Sequence, residues 1–248
     1  MDKIIKARIT NTQDYTKGIY ITFPTTPDEL RVSLKSDNVE DCKIRGFSCE
    51  SVPPLSRYYD PYITPDEMQY IAVKISTLTT EERDTLSAFL ECDYGDEYRT
   101  IKTVMDALEN LNSCQLDRAV KSHEDLGRSC LEARLETCRL AIEKLAASSD
   151  ISNHNLADYI KELEKYVDAA AFGRDFADYS DQYITSHGLL SVDWREFFWR
   201  DTNDRKVPDE YRLTSKAKPS IMRTLEECKN NVVPAKAAGK PGKNEPEI

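Results

Sequence analysis

Few residues of this 248-residue chain have the types and spacing that catalysis or metal binding requires. The three histidines, His123, His154 and His187, lie far apart, and none belongs to the H-E-x-x-H pattern that holds zinc on a helix. The glycines form no G-x-x-x-x-G-K-S/T or G-x-G-x-x-G phosphate loop, and no G-x-S-x-G elbow is present. The sequence therefore predicts a protein that is not an enzyme, with no catalytic, cofactor-binding or metal-binding residues and no cofactor.

Carboxylates are the reactive groups that the chain has in excess. Residues 1–214 carry 40 acidic and 27 basic side chains, while residues 215–248 carry 4 and 7, which gives the net charge of -10. The excess is concentrated in residues 58–99, with 10 acids against 3 bases, and in residues 149–214, with 14 against 8. A field of this sign repels nucleic acid and attracts basic grooves. We therefore expect a basic protein partner and no direct nucleic-acid binding.

Two clusters of these acids are the candidate partner-binding residues. The first consists of Glu81, Glu82, Asp84, Glu91, Asp93, Asp96 and Glu97. The second consists of Asp158, Glu162, Asp168, Asp175, Asp178 and Asp181. Helix positions three or four apart lie about 5–6 Å from each other, so acidic helices can present rows of charge comparable to DNA phosphates. The alternative for any single acid is an ordinary solvated helix face.

Residues 1–57 are expected to form a small α+β domain. Three strands are predicted at residues 3–9, 17–23 and 42–49 from the alternation of apolar and polar side chains. Gly46 interrupts the third. Thr26-Pro27-Asp28-Glu29 has the cap, the first-turn proline and the returning glutamate of a helix start, so a helix is predicted to about Lys35.

Residues 58–125 are expected to form a helical domain. Thr64-Pro65-Asp66-Glu67 repeats the same helix start, and Thr79 with Glu82 forms another capping box. A further helix is predicted over about 98–112. The predicted inward side chains are Met68, Ile71, Ala72, Ile75, Leu78, Leu86, Phe89, Leu90, Ile101, Val104, Met105, Leu108 and Leu111.

Residues 126–214 are expected to form a C-terminal α+β domain with an inserted helical hairpin. Apolar residues recur every three or four positions in two segments, 129–147 (Leu131, Leu135, Cys138, Ile142, Leu145) and 155–171 (Tyr159, Leu163, Tyr166, Ala170). Strand-like runs follow at Gln182–Ser186 and Glu196–Trp199. Residues 215–248 lack periodicity over most of their length, which predicts a mostly disordered tail. The expected fold is an elongated, multi-domain α+β chain.

The sequence predicts a cytoplasmic protein with reduced thiols. No stretch approaches the roughly 20 apolar residues of a membrane span, and the first residues lack the apolar core of a signal peptide. Seven cysteines, an odd number without a C-x-x-C pair, are typical of a reducing compartment.

Several segments in order resemble the ArdA antirestriction family. At the start these are Tyr15-x-x-Gly18, Phe23-Pro24 and Thr26–Leu30. Asp125-Leu126-Gly127-Arg128 is similar to the family's "dLGr" segment, and the run from Tyr166 to Ala177 is similar to its "YIDYEAYGRDIA". His187-Gly188-Leu189 follows at the family's distance, and the run Val207–Arg212 resembles its closing "vPeeYrv". Ala169-Ala170 stands where the family has Tyr-Glu, and the helix near 129–148 and the tail after Ser215 are additions.

The resemblance implies a DNA mimic of three small domains that forms a homodimer through its C-terminal part. Its surface carboxylates imitate the phosphates of B-form DNA and occupy the DNA-binding groove of a type I restriction–modification enzyme. Such proteins come from mobile elements and phages and act in the cytoplasm of a bacterial host cell.

Three alternatives stay open from the residues themselves. An acidic adaptor or inhibitor of another basic DNA-binding or host-defence protein would use the same acids on a different target. An enzyme with an unrecognised site would show a deep pocket with convergent polar groups. A structural hub would assemble oligomers through the hairpin of residues 129–170.

Overall fold

The computed structural model describes residues 2–11, 14–35, 39–92, 98–148, 166–199 and 206–214. Over these ranges the chain forms six α-helices and two three-stranded antiparallel sheets, which confirms the predicted α+β class. In the part of the chain so described, no helix is both long enough and apolar enough to cross a membrane.

The first sheet contains the three strands that the alternation predicts. Strand β1 (Ile5–Asn11) lies between β2 (Asp14–Phe23) and β3 (Cys42–Cys49), antiparallel to both. Alternate side chains of β1, namely Ile5, Ala7 and Ile9, are completely buried. The register of β1 against β3 shifts between Arg8 and Ile9, opposite Gly46, where the sequence pattern is interrupted.

Three helices begin at the predicted capping boxes. They are α1 (Pro27–Leu34), α2 (Pro65–Thr77) and α3 (Thr80–Glu91). In each, the threonine side chain accepts a hydrogen bond from the backbone of the glutamate three residues on, whose carboxylate returns to the threonine backbone. The residues of each capping box lie three apart, so these signals are local in the sequence.

A continuous core packs between the first sheet and the helices α2, α3 and α4 (Ile101–Glu109). The predicted inward residues of these helices are buried, apart from Leu78 and Leu111, which are half-buried against the same core. Residues of the C-terminal part, including Leu190, Phe197 and Leu213, join this cluster. Residues 1–214 form one compact unit, and the domain boundaries proposed at 57/58, 125/126 and 214/215 stay predictions.

The second sheet brings together strands that the sequence patterns largely miss. Its order is β4 (Cys114–Asp117), β6 (Gly188–Val192) and β5 (Gln182–Thr185). The predicted run at 182–186 is confirmed as β5. However, β4 lies within a stretch predicted as helical, and residues 196–199 are not a strand, so that prediction is wrong.

Strand β6 escapes prediction because buried apolar side chains lie on both of its faces. Leu190 and Val192 face the main core, and Leu189 packs in a second cluster with Val120, Leu126 and Ala177. A strand buried on both faces has no alternation of apolar and polar residues.

Helices α5 (His123–Ser148) and α6 (Ala169–Ser180) cross in antiparallel sense near their glycines. The sequence patterns instead predict that a helix at 129–147 packs against a helix at 155–171. Residues 155–165 lie outside the described residues, Tyr166 and Val167 are exposed, and the helix begins only at Ala169, so the predicted seam is wrong there. On α5, Leu131 and Leu135 are half-buried and Cys138 is exposed, because the close contact lies at the N-terminal end of α5.

Candidate functional site

The acids at the start of α3 serve the helix itself. Glu81 and Glu82 are exposed in its first turn, where carboxylates interact favourably with the helix dipole. Hydrogen bonds from the backbone and side chain of Thr79 lower the pKa of Glu82 below its usual value, so its carboxylate is held ionised. Glu81 projects further, with a side chain 84% exposed and 3.9 Å from the Arg118 guanidinium.

Asp84 and Glu91 are engaged in contacts with distant parts of the chain. Asp84 forms an ion pair of 2.8 Å with Arg118, just after β4. Glu91 accepts hydrogen bonds from the Ser186 backbone at 2.9 Å and from the Ser186 hydroxyl at 2.7 Å. The His187 ring lies between the two acids, 3.8 Å from Asp84 and 3.7 Å from Glu91.

These contacts hold α3 against the turn between β5 and β6. Since Glu91 satisfies a backbone N–H and a hydroxyl of that turn, its carboxylate has a structural role. The sequence predicts that Asp84 and Glu91 belong to an open row of charge, but both carboxylates are engaged in these contacts. Glu81 and Asp84 both lie close to the Arg118 guanidinium.

The acids of α6 behave differently. Asp168, Asp175, Asp178 and Asp181 are all exposed, and Arg174 is the one basic residue that α6 contributes among them. Gly173 and Ala177 occupy the opposite, buried face of the helix. The segment between the two caps of α6 therefore presents an acidic face to solvent.

Capping involves the first and the last of these acids. Asp168 is the N-cap of α6 and accepts a hydrogen bond from the Ala171 backbone at 3.0 Å. Asp178 lies in the last turn and Asp181 is the C-cap, in the left-handed conformation with φ 51°. The negative end of the helix dipole disfavours carboxylates there, and the last turn holds no basic residue. Asp175 and Asp178 therefore have no capping role, whereas Asp181 occupies the left-handed C-cap, a conformation that Asp adopts more readily than most residues.

Two tyrosines flank this acidic face. Tyr179, within α6, is 96% exposed, and Tyr166, just before the helix, is 85% exposed. An exposed tyrosine offers an aromatic ring and a hydroxyl to a partner, and such residues are enriched at the centres of protein interfaces.

The remaining candidate acids cannot be assigned a position. Asp93, Asp96, Glu97, Asp158 and Glu162 lie outside the residues that the structure describes. The described acids of the first cluster therefore lie on α3, and those of the second cluster lie on α6 or at its caps.

Arg118 and Ser186 form contacts that the sequence does not predict, and so does Asp66, which the sequence predicts only as part of a helix start. Asp66, in the first turn of α2, accepts hydrogen bonds from the backbones of Leu213 and Thr214 at 2.8 and 3.0 Å, and one from the Thr214 hydroxyl. Each contact joins residues far apart in sequence, so no local pattern marks it.

Metal-binding groups are not brought together in the described ranges, where no three His, Cys, Asp or Glu side chains are placed to hold an ion. His123 begins α5 and His187 lies against α3, while His154 is outside these ranges. All six cysteines between Cys42 and Cys138 have free thiols.

The chain matches no protein-family model and no curated protein.

Proposed function

We propose that this chain is an antirestriction protein of the ArdA type, an acidic mimic of B-form DNA that occupies the DNA-binding groove of a type I restriction–modification enzyme. The observation that carries the proposal is the row of exposed acids on α6. Asp175 and Asp178 are exposed on α6 without a capping role, and Asp181 at the C-cap is exposed beside them, so binding of a partner would explain why these carboxylates face the solvent.

The row is less dense than one DNA strand. The four carboxylates from Asp168 to Asp181 span about 20 Å of helix axis in three intervals, or roughly 6.5 Å per interval on average. A single DNA strand carries one phosphate per about 3.4 Å. The acids of α6 therefore match the phosphates of one strand more nearly than those of the whole duplex, and a second row is needed to imitate the other strand.

The first turn of α3 supplies exposed acids for such a second row. Glu82 is engaged in the capping bonds with Thr79, and Glu81 lies 3.9 Å from the Arg118 guanidinium that also pairs with Asp84, yet both acids are exposed. Both acids add to the negative field on which recognition by a basic groove depends.

The helix crossing supports a preorganised acidic face. Gly127 and Gly173 meet where α5 crosses α6, and these two glycines belong to the two segments that most resemble the family, residues 125–128 and 166–177. A helix held by backbone contact presents its charges in a fixed geometry, which lowers the entropy cost of binding.

Inhibition follows from competition for one groove. The basic side chains that hold DNA phosphates would hold these carboxylates instead, and DNA could not enter while the protein is bound. The proposed homodimer, formed through the C-terminal part, would extend the acidic surface across a two-fold axis. The three-domain, elongated arrangement and the cytoplasm of a bacterial host belong to the same proposal.

A displacement assay tests this function. Purified type I enzyme is mixed with labelled cognate duplex, and the full chain is added at low and at high salt. We expect DNA to be released at nearly stoichiometric protein, with weaker release as salt rises. If several type I enzymes keep their DNA at high excess of the protein, the target is wrong. Capture of a different basic protein from host lysate by the same acids would then favour the adaptor.

A further inference from the structure

A polar groove of about 500 Å³ lies beside the C-terminal end of α6. It is bounded by the end of α6, the polar face of the second sheet and the turn that follows β6. Its lining residues of greatest interest are Ser113, Gln115, Asp181, Ser191, Asp193 and Glu196. A volume of this size is within the range of small-ligand sites.

Gln115 and Ser191 of the second sheet line the groove, and Gln182 is the neighbour of Ser191 on β5. Gln115 of β4 and Gln182 of β5 both pair with Ser191 of the central strand β6. The Gln182 amide donates to the Ser191 hydroxyl at 3.1 Å, which leaves the Gln182 carbonyl oxygen buried without a hydrogen-bond partner. Ser191 is polar, whereas its neighbours on β6, Leu190 and Val192, are buried in the core.

Ser113 provides a second unsatisfied group. Ser113 lines the groove and is only 5% exposed, and its buried hydroxyl has no hydrogen-bond partner in the described structure. Buried polar groups are nearly always paired, because an unpaired one loses its hydration without compensation. The unpaired hydroxyl of Ser113, a residue that lines the groove, points to an occupant that supplies the missing hydrogen bond.

The charge of the groove selects the chemistry of that occupant. Asp181, Asp193 and Glu196 contribute three carboxylates, while Arg195 contributes one cation, which lies 3.3 Å from Asp193. The lining is therefore negative and rich in acceptors. A guanidinium group carries a positive charge and five N–H donors without an acceptor, so it complements both properties.

We propose that this groove receives an arginine side chain of the protein partner, with Asp181 and Glu196 as its ion-pair partners. This inference rests on the proposed function in that it takes the partner to be a basic protein. Beyond the general attraction between opposite charges, it assigns a specific pocket to one side chain of the partner. Asp181 would then serve both the acidic face of α6 and the groove.

A titration of the full chain tests the groove without any restriction enzyme. The probe is Nα-acetyl-arginine amide, and the matched control is Nα-acetyl-citrulline amide, which has the same shape without the charge. Backbone amide resonances of Ser113, Ser191 and Asp193 are followed by NMR. We expect saturable shifts with the arginine compound, with a dissociation constant on the order of 1 mM, and none with the citrulline compound.

Two variants sharpen the test. Glu196→Gln removes a carboxylate of the groove and should raise the dissociation constant about three- to tenfold. Asp28→Asn makes the same change of charge outside the lining and away from α6, and should leave the dissociation constant unchanged. Equal shifts with both compounds, or an unaltered titration in Glu196→Gln, would overturn the proposal.

Each of the two proposals can be refuted without refuting the other. Binding of the arginine compound without displacement of DNA from a type I enzyme would leave the groove in place and remove the proposed function. Displacement of DNA without binding of the arginine compound would do the reverse.

Discussion

Gly127 and Gly173 contact each other through their backbones where α5 crosses α6. A Cβ atom on Gly127 would lie 1.8 Å from the Ala169 carbonyl oxygen, and one on Gly173 would lie 1.8 Å from the His123 carbonyl oxygen. Each glycine thus allows the other helix to approach at a distance that no larger residue permits. This contact determines the position of α6 and with it the position of the acidic face.

Alanine at either glycine should destabilise the protein. In an isolated helix the change would stabilise by about 1 kcal/mol, but here the new methyl group would force the helices apart. We expect Gly127→Ala and Gly173→Ala each to lower the free energy of unfolding by roughly 2–4 kcal/mol, measured by urea denaturation. Gly46→Ala, where a Cβ would meet nothing within 4 Å, is the control and should change it by less than about 1 kcal/mol. Equal effects at all three positions would contradict the close crossing.

Asp66 should stabilise the segment before Thr214, whereas Asp28 should not stabilise any distant segment. Both occupy the same position of a Thr-Pro-Asp-Glu helix start, but Asp66 accepts backbone hydrogen bonds from Leu213 and Thr214, while the Asp28 side chain is 93% exposed. We expect Asp66→Asn to cost about 1–3 kcal/mol and to increase hydrogen exchange of the Leu213 and Thr214 amides. Asp28→Asn should leave both quantities nearly unchanged. An equally small effect of Asp66→Asn would show that the segment is held by other contacts.

This pair of aspartates illustrates what sequence can and cannot predict. The capping boxes depend on residues three apart, so both helix starts could be predicted from Thr26–Glu29 and Thr64–Glu67. The role of Asp66 depends on a segment about 150 residues later, for which no local signal exists. The same limit applies to the candidate acids. Glu91 and Asp178 have equivalent chemistry in sequence, and only the position of Ser186 distinguishes a structural carboxylate from an exposed one.

The capping box of α3 should contribute to acid sensitivity. The hydrogen bonds from Thr79 lower the pKa of Glu82 from its usual 4.5 in the folded state. A lowered folded-state pKa gives stability that is present above the unfolded pKa and is lost as pH falls through the folded pKa. The loss should therefore begin below about pH 4.5.

Glu82→Gln tests that origin, because glutamine can return the same hydrogen bond to Thr79 but does not titrate. The difference in unfolding free energy between wild type and this variant, measured by urea denaturation at pH 7 and at pH 3.5, should shrink at the lower pH. Glu81→Gln, one residue earlier and outside the capping box, should follow the wild-type pH dependence more closely. A constant difference for Glu82→Gln across this range would remove Glu82 as a source of acid sensitivity.

Asp178 should show opposite effects on stability and on inhibition. Its carboxylate lies in the last turn of α6, at the negative end of the helix dipole. We expect Asp178→Asn to raise the free energy of unfolding by about 0.3–1 kcal/mol at low salt, with a smaller gain at high salt. The same variant should displace DNA less effectively. A loss of stability would indicate a structural contact that the exposed position of Asp178 does not suggest.

The most direct test of the proposed inhibitory surface on α6 compares two triple variants in the DNA-displacement assay. Asp175→Asn, Asp178→Asn and Asp181→Asn together remove three carboxylates from the face of α6. Asp28→Asn, Glu50→Gln and Glu210→Gln remove three exposed carboxylates elsewhere, so the net charge changes equally. We predict that the α6 variant needs at least about tenfold more protein to release DNA from the type I enzyme, while the control variant acts like wild type. Equal potency of the two variants would contradict the claim that α6 presents the inhibitory surface.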